Sequence, residues 1–475
     1  MSATSPVDPI HSSKGAEVDA RQPALSVDVP ICYRMEPAKR MLTGAGCSSS
    51  CHAQFSGSGN QMPPCLLADQ THSVIGLEKV RRVALMVTPQ ASGDVVDQVW
   101  EAISTIRVVL KQQPGPMVVT SQTVFLKRAE DAEACRKLFA AYYGERMPAT
   151  IFVAQPPCGG QSLAIEAWAV GGEDAVIEFL APDVVSVAYD GLRWLHIGGI
   201  SPPPSATTAY SQTEQALGQM AERLAAAGAS FQDVVRTWLY QGGITEPELD
   251  IERYRELNRA RTDFFAEQEL QGRLTIQRGG LLHYPASTGI GTAGQGLSIG
   301  CLALQTERDD VRLLPLENPW QTSAFEYAQV YSPKSPKFSR AMAMVIGDYV
   351  TIWISGTASI VNAETVHPGD IEKQTEQTID NIEHLISREN FAGHGVPGAG
   401  AQLGDLAKIR VYVKRLEDFE KCRAICERRF GPLPIIFAQA DVCRSDLLVE
   451  IEGVSFSRLQ PVANYSATNP SRGGV

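Results

Sequence analysis

The chain has 475 residues, a net charge of −11 and 44% hydrophobic residues, enough for about three domains of ordinary size, each with a core of its own. The acidic balance excludes the clustered basic face that nucleic-acid backbones require, and no run approaches the ~18 apolar residues of a membrane span. With no basic-then-apolar leader of the secretory kind, a cytoplasmic chain is expected, in which the ten cysteines are reduced thiols.

Residues 1–73 are rich in Ser, Gly, Pro and Ala without sustained apolar periodicity, and a disordered tail is expected there. Cys47 and Cys51 in CSSSC have no second pair at zinc-site spacing, so neither a metal nor a cofactor is expected. A first module then covers 74–172. Its predicted elements are a strand from Val83 to Val87, a helix carrying Val96, Val99, Ile103, Ile106 and Leu110 at helical spacing, a strand from Val118 to Leu126, a helix from Asp131 to Tyr143, and closing strands near Ile151 and Leu163.

A second module, 173–310, repeats the order, with a strand at Trp194 to Ile197, a helix at Ser211 to Ala227, a strand at Val234 to Tyr240 and a helix at Ile251 to Glu267. A third, 320–460, has strands at Met342 to Ile346 and Tyr349 to Ser355, a helix at Ile371 to Ser387, a strand at Lys408 to Val413, a helix at Asp418 to Phe430 and a last strand in LLVEIEGV; residues 461–475 form a second tail. The β-α-β-α-β order predicts an α+β class in which helices cover one face of each sheet.

The modules are copies of one unit. VFLKRAEDAEACR (Val124 to Arg136) recurs as VYVKRLEDFEKCR (Val411 to Arg423), with Val, Lys, Arg, Glu, Asp, Glu, Cys and Arg in register. GASFQDVVRTWLY (Gly228 to Tyr240) aligns likewise with GAQLGDLAKIRVY (Gly400 to Tyr412). Cys135 and Cys422 hold equivalent helical positions and are read as core residues. In the same alignment Glu166 matches Glu452, whereas Glu450 matches Ala164 in the first module and Ser298 in the second, so only the third module carries that acid.

GDIEKQTEQTIDNI, the segment around VYVKRLEDFE and the terminal VEIEG resemble the Rid/YjgF superfamily. That resemblance implies a fold similar to the small α+β chorismate mutases and ligand clefts between the subunits of a trimer. Three fused copies then imply a single-chain, monomeric pseudo-trimer. Deaminases of the superfamily carry an arginine two residues after a proline, and the corresponding residues here are Thr150, Ser287 and Ile436, so ordinary deaminase chemistry is not expected.

A narrower resemblance, from Asp190 to Phe456, points to the chorismatases, which hydrolyse the enolpyruvyl ether of chorismate. It rests on VVRTWLY, YRELNRARTDFF, YPASTGIG, FSRA, SGTASIV, HPGD and ADVCRSDLLVEIEG in that order. The reaction needs a carboxylic acid that stays protonated near neutrality to protonate the terminal CH2 of a vinyl ether. Glu450 is the expected general acid, with partial burial raising its pKa to ~6–7.

Chorismate carries two carboxylates, so cations are expected beside it. Arg340 and Arg444 are the first choices; an even separation puts Arg444 and Glu450 on one face if the strand between them is unbroken. Tyr331, Lys334, Tyr284, Thr288, Gly289, Ala358 and Cys443 complete the predicted binding set, with Lys334 standing where the family more often has arginine. Backbone N–H groups of the Ser287 to Gly291 run are expected to face a carboxylate, and His196 and His367 are read as packing or capping residues. The expected partner is a small anionic metabolite. Two alternatives are kept, a non-catalytic metabolite-binding protein of the Rid type and a divergent enamine/imine deaminase.

Overall fold

The computed structural model describes residues 66–68, 71–77, 79–90, 92–274, 284–328 and 333–461. Cys47, Cys51 and Tyr331 lie outside the described residues. Three six-stranded sheets follow one another along the chain. In the first, the order across the sheet is Leu66–Ala68, His72–Gly76, Arg81–Val87, Leu163–Gly171, Val118–Leu126 and Ala149–Val153, antiparallel except for the last pair. The third sheet repeats this as Arg312–Leu316, Ala341–Ile346, Tyr349–Ala358, Val449–Arg458, Leu406–Val413 and Ile435–Gln439. The second runs Ala286–Thr292, Val234–Gly242, Leu297–Thr306, Leu192–Ile200, Val184–Tyr189 and Val176–Ala181.

Side-chain alternation gives each sheet two faces. On Val449–Arg458, Ile451 packs with Ile379, Ile382 and Phe391 of the helices Ile371–Ile386 and Arg388–Gly393, while Val454 and Phe456 point the other way and pack with residues of the other two sheets, among them Trp194 and Val170. Leu163–Gly171 does the same, with Ile165 and Ala167 against the helices Val95–Lys111 and Asp131–Tyr143. Each helix-bearing face is therefore a core of its own, and the opposite faces of all three sheets share one. Cys135 and Cys422 are fully buried on their helices. His367 belongs to the turn before the helix Ile371–Ile386, whose N-terminus Asp370 caps by accepting a hydrogen bond from the Lys373 N–H (3.1 Å).

The sheets begin earlier than the sequence predicts. Leu66–Ala68 and the start of His72–Gly76 fall inside the segment read as a tail, and this short antiparallel pair is held because Ile75 is fully buried and the Ser73 hydroxyl donates to the Ala407 carbonyl of the third sheet (2.6 Å). The hairpin Val176–Ala181 and Val184–Tyr189 and the edge strand Arg312–Leu316 are likewise additions to the expected order. Their outer strands, VIEFLA and RLLPL, are apolar in sequence but lie at sheet edges with few buried residues, so nothing local marks them as part of the repeated order.

Charged side chains join the three sheets at the centre. Glu166, from the first sheet, accepts from Lys408 (2.8 Å) and Arg410 of the third. Arg410 also reaches Glu452 of its own sheet (2.9 Å), the Tyr240 hydroxyl of the second (2.5 Å) and Thr123 of the first (3.0 Å). Glu452 pairs with Arg236 of the second sheet. Every one of these charged groups is at most 3% exposed, so removing one partner strands another charge in the interior.

Burial alone would raise the Glu166 pKa, but Arg410 and Lys408 outweigh it and hold the carboxyl at about 2, below its usual 4.5. A depressed carboxylate contributes stability that is complete above the unfolded pKa and lost as pH falls toward the folded one. Glu166→Gln should therefore cost about 3–5 kcal/mol in urea denaturation at neutral pH. It should also flatten the loss of stability between pH 4.5 and 2; a variant as acid-sensitive as the parent would contradict the assignment.

Candidate active site

A cavity of about 370 Å3 lies between the second and third sheets. Its floor is built by the edge strand Ala286–Thr292 meeting Tyr349–Ala358. The Ser287 N–H donates to the Ser355 hydroxyl (2.8 Å), the Gly356 N–H donates to the Thr288 hydroxyl (3.0 Å), and the Gly291 N–H donates to the Asp441 carbonyl (2.8 Å). The N–H groups of Ser287 and Gly291 are thus spent on holding the interface, contrary to the sequence expectation for these two residues of the run. At Gly291 a side chain would run into the Asp441 backbone, so the close approach of the two segments requires glycine.

Glu450 projects from Val449–Arg458 into this cavity and is 3% exposed. A register shift between Ile354 and Thr357 bulges the neighbouring strand beside it, leaving Glu450 opposite Ala358. The bulge contains Gly356, where a methyl group would overlap the Glu450 carboxyl oxygen. The glycine of SGTAS therefore makes room for the acid. Burial, and secondarily the negative charge of Glu452, push the Glu450 pKa up to about 8, against the opposing pull of Arg236 and Arg340.

Glu452, two residues on, has the opposite fate. Burial favours its neutral form, but Arg410, Arg236 and Lys408 outweigh that and hold its pKa below the usual value. Its oxygens accept from Arg236, Thr288, Trp238 Nε1 (3.2 Å) and the Tyr412 hydroxyl (3.3 Å). One carboxyl is protonated and faces the cavity; the other is ionised and fully bonded.

Two buried cations of the lining come from different elements. Arg340, 4% exposed and just ahead of Ala341–Ile346, lines the cavity, and its Nη2 donates to the Thr322 carbonyl (2.8 Å) and the Tyr327 hydroxyl (2.6 Å), leaving Nε unpartnered. Arg261, 3% exposed, comes from the helix Arg253–Leu270, is bonded to Asn258 (2.6 Å) and also has an unpartnered Nε. Both guanidinium carbons lie 5.5 Å from the Phe338 ring centroid, so two cations flank one apolar wall.

Arg444, Gly289, Ala358 and Cys443 line the cavity as expected. Arg444 reaches it differently from the prediction: the closing strand starts only at Val449, so Arg444 enters from the preceding loop, where it donates to the Ala363 carbonyl (2.8 Å). Burial, with Glu450 adding to it, pushes the Cys443 thiol up to about 12, which makes it a neutral wall and no nucleophile.

Three predicted binders are not in the lining. Lys334 is paired with Asp263 on a solvent-facing segment. Tyr284 packs edge-on with Phe265 (5.6 Å) in the core of the second module, because its apolar ring is worth more there than at a polar wall. Thr288 is turned toward Glu452 and Arg236, where its hydroxyl completes the ion pair. Among the residues not predicted, Tyr254, Asn258 and Arg261 line the cavity together. Their signal is a polar stripe at i, i+4 and i+7 in YRELNRARTDFF, on a helix whose Leu257, Ala260 and Phe264 are buried.

At the positions two residues after proline, Thr150 donates to the Pro148 carbonyl (2.7 Å), Ile436 is buried in the core, and Ser287 lies 3.4 Å from Arg261 Nη1. A guanidinium thus reaches the Ser287 position from the neighbouring helix. Among the described residues, no cluster of ligating side chains could hold a metal ion, and no helix is long and apolar enough to cross a membrane.

A cavity lined by Arg261, Arg340 and the buried Glu450 carboxyl, set between two sheet-and-helix modules, defines a protein with a site for a small molecule. Residues 176–303 match the family described as chorismatase FkbO/Hyg5-like, N-terminal. A 3-hydroxybenzoate synthase of Streptomyces hygroscopicus is 36% identical over 287 residues, 59% of this chain and 79% of that protein. A chorismatase of Streptomyces rapamycinicus is 31% identical over 277 residues, 57% of this chain and 78% of that protein. The chain belongs to the chorismatase family.

A solved chorismatase structure superposes with a TM-score of 0.55 at 23% identity, covering 80% of this chain and 100% of that one. The shared fold is larger than the segment from Asp190 to Phe456 in which the family motifs lie, so it takes in the first sheet as well.

The Glu450 carboxyl should titrate near pH 8, as followed by its C=O stretch in difference infrared spectra against Glu450→Gln. Glu452→Gln removes the neighbouring negative charge and releases Arg236, so the midpoint should fall. A midpoint that stays or rises in that variant would rule out the coupling.

Proposed function

We propose that the chain hydrolyses the enolpyruvyl ether of chorismate, with Glu450 as general acid and the three sheet-and-helix modules arranged as a single-chain pseudo-trimer. The observation that carries the catalytic part is the Glu450 carboxyl, buried in a cation-flanked cavity with its pKa pushed up to about 8, in a member of a family whose relatives are named chorismatase and 3-hydroxybenzoate synthase. The shared core of the three helix-free sheet faces and the ion pairs that cross between them support the pseudo-trimer. Modules of 66–172, 173–310 and 320–460 follow from that reading.

In the proposed reaction Arg261 and Arg340 hold the two carboxylates of the substrate against the Phe338 wall, and Tyr254, Asn258 and Arg444 close the remaining polar side. Glu450 gives its proton to the terminal CH2 carbon of the enolpyruvyl group, and the electron pair of the double bond forms the new C–H bond. The oxocarbenium ion that results is captured by an oxygen nucleophile, whose proton returns to the Glu450 carboxylate. Capture by water gives a hemiketal that breaks its bond to the ring oxygen and releases pyruvate and a dihydroxycyclohexadiene; capture by the ring hydroxyl leads to pyruvate and a hydroxybenzoate. Both routes share the Glu450 step. Glu452, already ionised and bonded on both oxygens, is a positioning residue that keeps Glu450 protonated.

Glu450→Gln preserves shape but has no proton to deliver to carbon, so kcat for pyruvate release should fall by ~10²–10⁴-fold with little change in KM. In the parent enzyme kcat should be flat below the Glu450 pKa of about 8 and decline above it. Arg261→Gln should instead raise KM by roughly 10–100-fold, the worth of one charged hydrogen bond. Retention of most of the turnover by Glu450→Gln in a coupled pyruvate assay would sink the general-acid role. A parent protein that binds chorismate without releasing pyruvate would sink the function, and chromatography of the ring product distinguishes the two capture routes.

A further inference from the structure

A second, much smaller space of about 50 Å3 lies away from the Glu450 cavity, where the three sheets meet. Its lining includes Arg82, Glu166 and Trp168 from the first sheet, His196 from the second, and Lys408 and Arg410 from the third. The five ionisable side chains in this group are all more than nine-tenths buried. A water molecule needs roughly 10–15 Å3 of such space, so there is room for a few particles of that size and none for a metabolite.

The charges around this space do not cancel. Arg82, Lys408 and Arg410 face it, with Glu166 as the one carboxylate of the lining. Glu166 is already shared between Lys408 and Arg410, and the nearby Glu452 is shared between Arg410 and Arg236. Burial, followed by the charge of Arg82, pushes the His196 pKa down to about 3, so this imidazole is neutral and can donate from one nitrogen.

Arg82 has no carboxylate partner among the described residues. Its guanidinium lies 5.2, 5.7 and 6.0 Å from the ring centroids of Trp168, Trp194 and Phe456. Its Nε and the Nε2 of His196 are both buried and without hydrogen-bond partners. Ring faces moderate a buried cation but do not neutralise it, and an uncompensated charge in the interior is among the costliest arrangements a fold can contain. An orphaned guanidinium N–H and an orphaned imidazole nitrogen, which donates in the Nε2–H tautomer, beside excess positive charge describe the recognition chemistry of a small anion.

We propose that this space is a binding site for a single monoatomic halide, chloride in ordinary media, which accepts from Arg82 Nε and His196 Nε2 and balances the charge left over by the Glu166 ion pairs. Water would satisfy the donors but leave the charge in place. The halide is a structural component of the contact between the three sheets, separate from the Glu450 chemistry, and it binds the folded chain alone because the site draws residues from all three sheets.

The test uses the full chain purified and crystallised in sodium bromide, with anomalous data collected at the bromine edge and at long wavelength. A bromine peak, or a retained chlorine peak, between Arg82 and His196 supports the proposal; a cavity with neither overturns it. In solution, raising halide tenfold above its Kd at constant ionic strength, with gluconate as the balancing anion, should raise Tm by about 1–4 °C. Arg82→Gln should lose that halide-dependent increment whatever its own baseline Tm. Equal Tm values in bromide and gluconate for the parent chain would also overturn the site.

Discussion

Arg410 holds together what would otherwise be three separate cores. Its guanidinium is inaccessible to water and must be compensated where it lies, and the groups that compensate it come from every sheet: Glu166 and Thr123 from the first, the Tyr240 hydroxyl from the second, Glu452 from the third. The Phe125 and Trp238 rings lie 5.3 and 5.7 Å from it and complete the enclosure. None of these partners is local in the chain. The pair with Glu166 and the bonds to Thr123 and Tyr240 form only when the sheets have met, so a charge that Glu452 alone would compensate in an isolated module becomes a constraint on how the modules pack.

That constraint also sets the protonation of the candidate site. Glu450 and Glu452 sit on the same face of one strand, yet Glu452 collects the cations and Glu450 receives none of their hydrogen bonds. Two carboxyls pushed apart in pKa by their surroundings is the usual arrangement for dividing acid from anion. Here the ionised member also helps to keep its neighbour neutral, because placing a second negative charge beside Glu452 is unfavourable.

The shape of the cavity follows from backbone approach. The edge strand Ala286–Thr292 docks against the bulged strand Tyr349–Ala358 through the Ser287 and Gly356 N–H groups, and Gly356 and Gly291 allow contacts that any side chain would block. The helix Arg253–Leu270 then brings Arg261 beside Ser287. A guanidinium that the proline-following position does not supply is thereby delivered from a different element.

Repetition and the two-residue alternation of a strand are local properties, legible without coordinates. They suffice for three α+β modules and for most inner strands and helices, and for Glu450 and Glu452 on one face with Glu450 peculiar to the third copy. The buried cysteines at matching positions are legible for the same reason. Arg261 is legible only as one member of a polar stripe with Tyr254 and Asn258; that this stripe faces a cavity is decided when a second module covers it. Tyr284, Thr288 and Lys334 illustrate the converse: each lies within or beside a family motif, but ring packing, an ion pair and a surface aspartate claim them. The pKa of Glu450 belongs with these. Desolvation and the field of neighbouring charges depend on distances through space between residues far apart in the chain, and a linear sequence does not contain those distances.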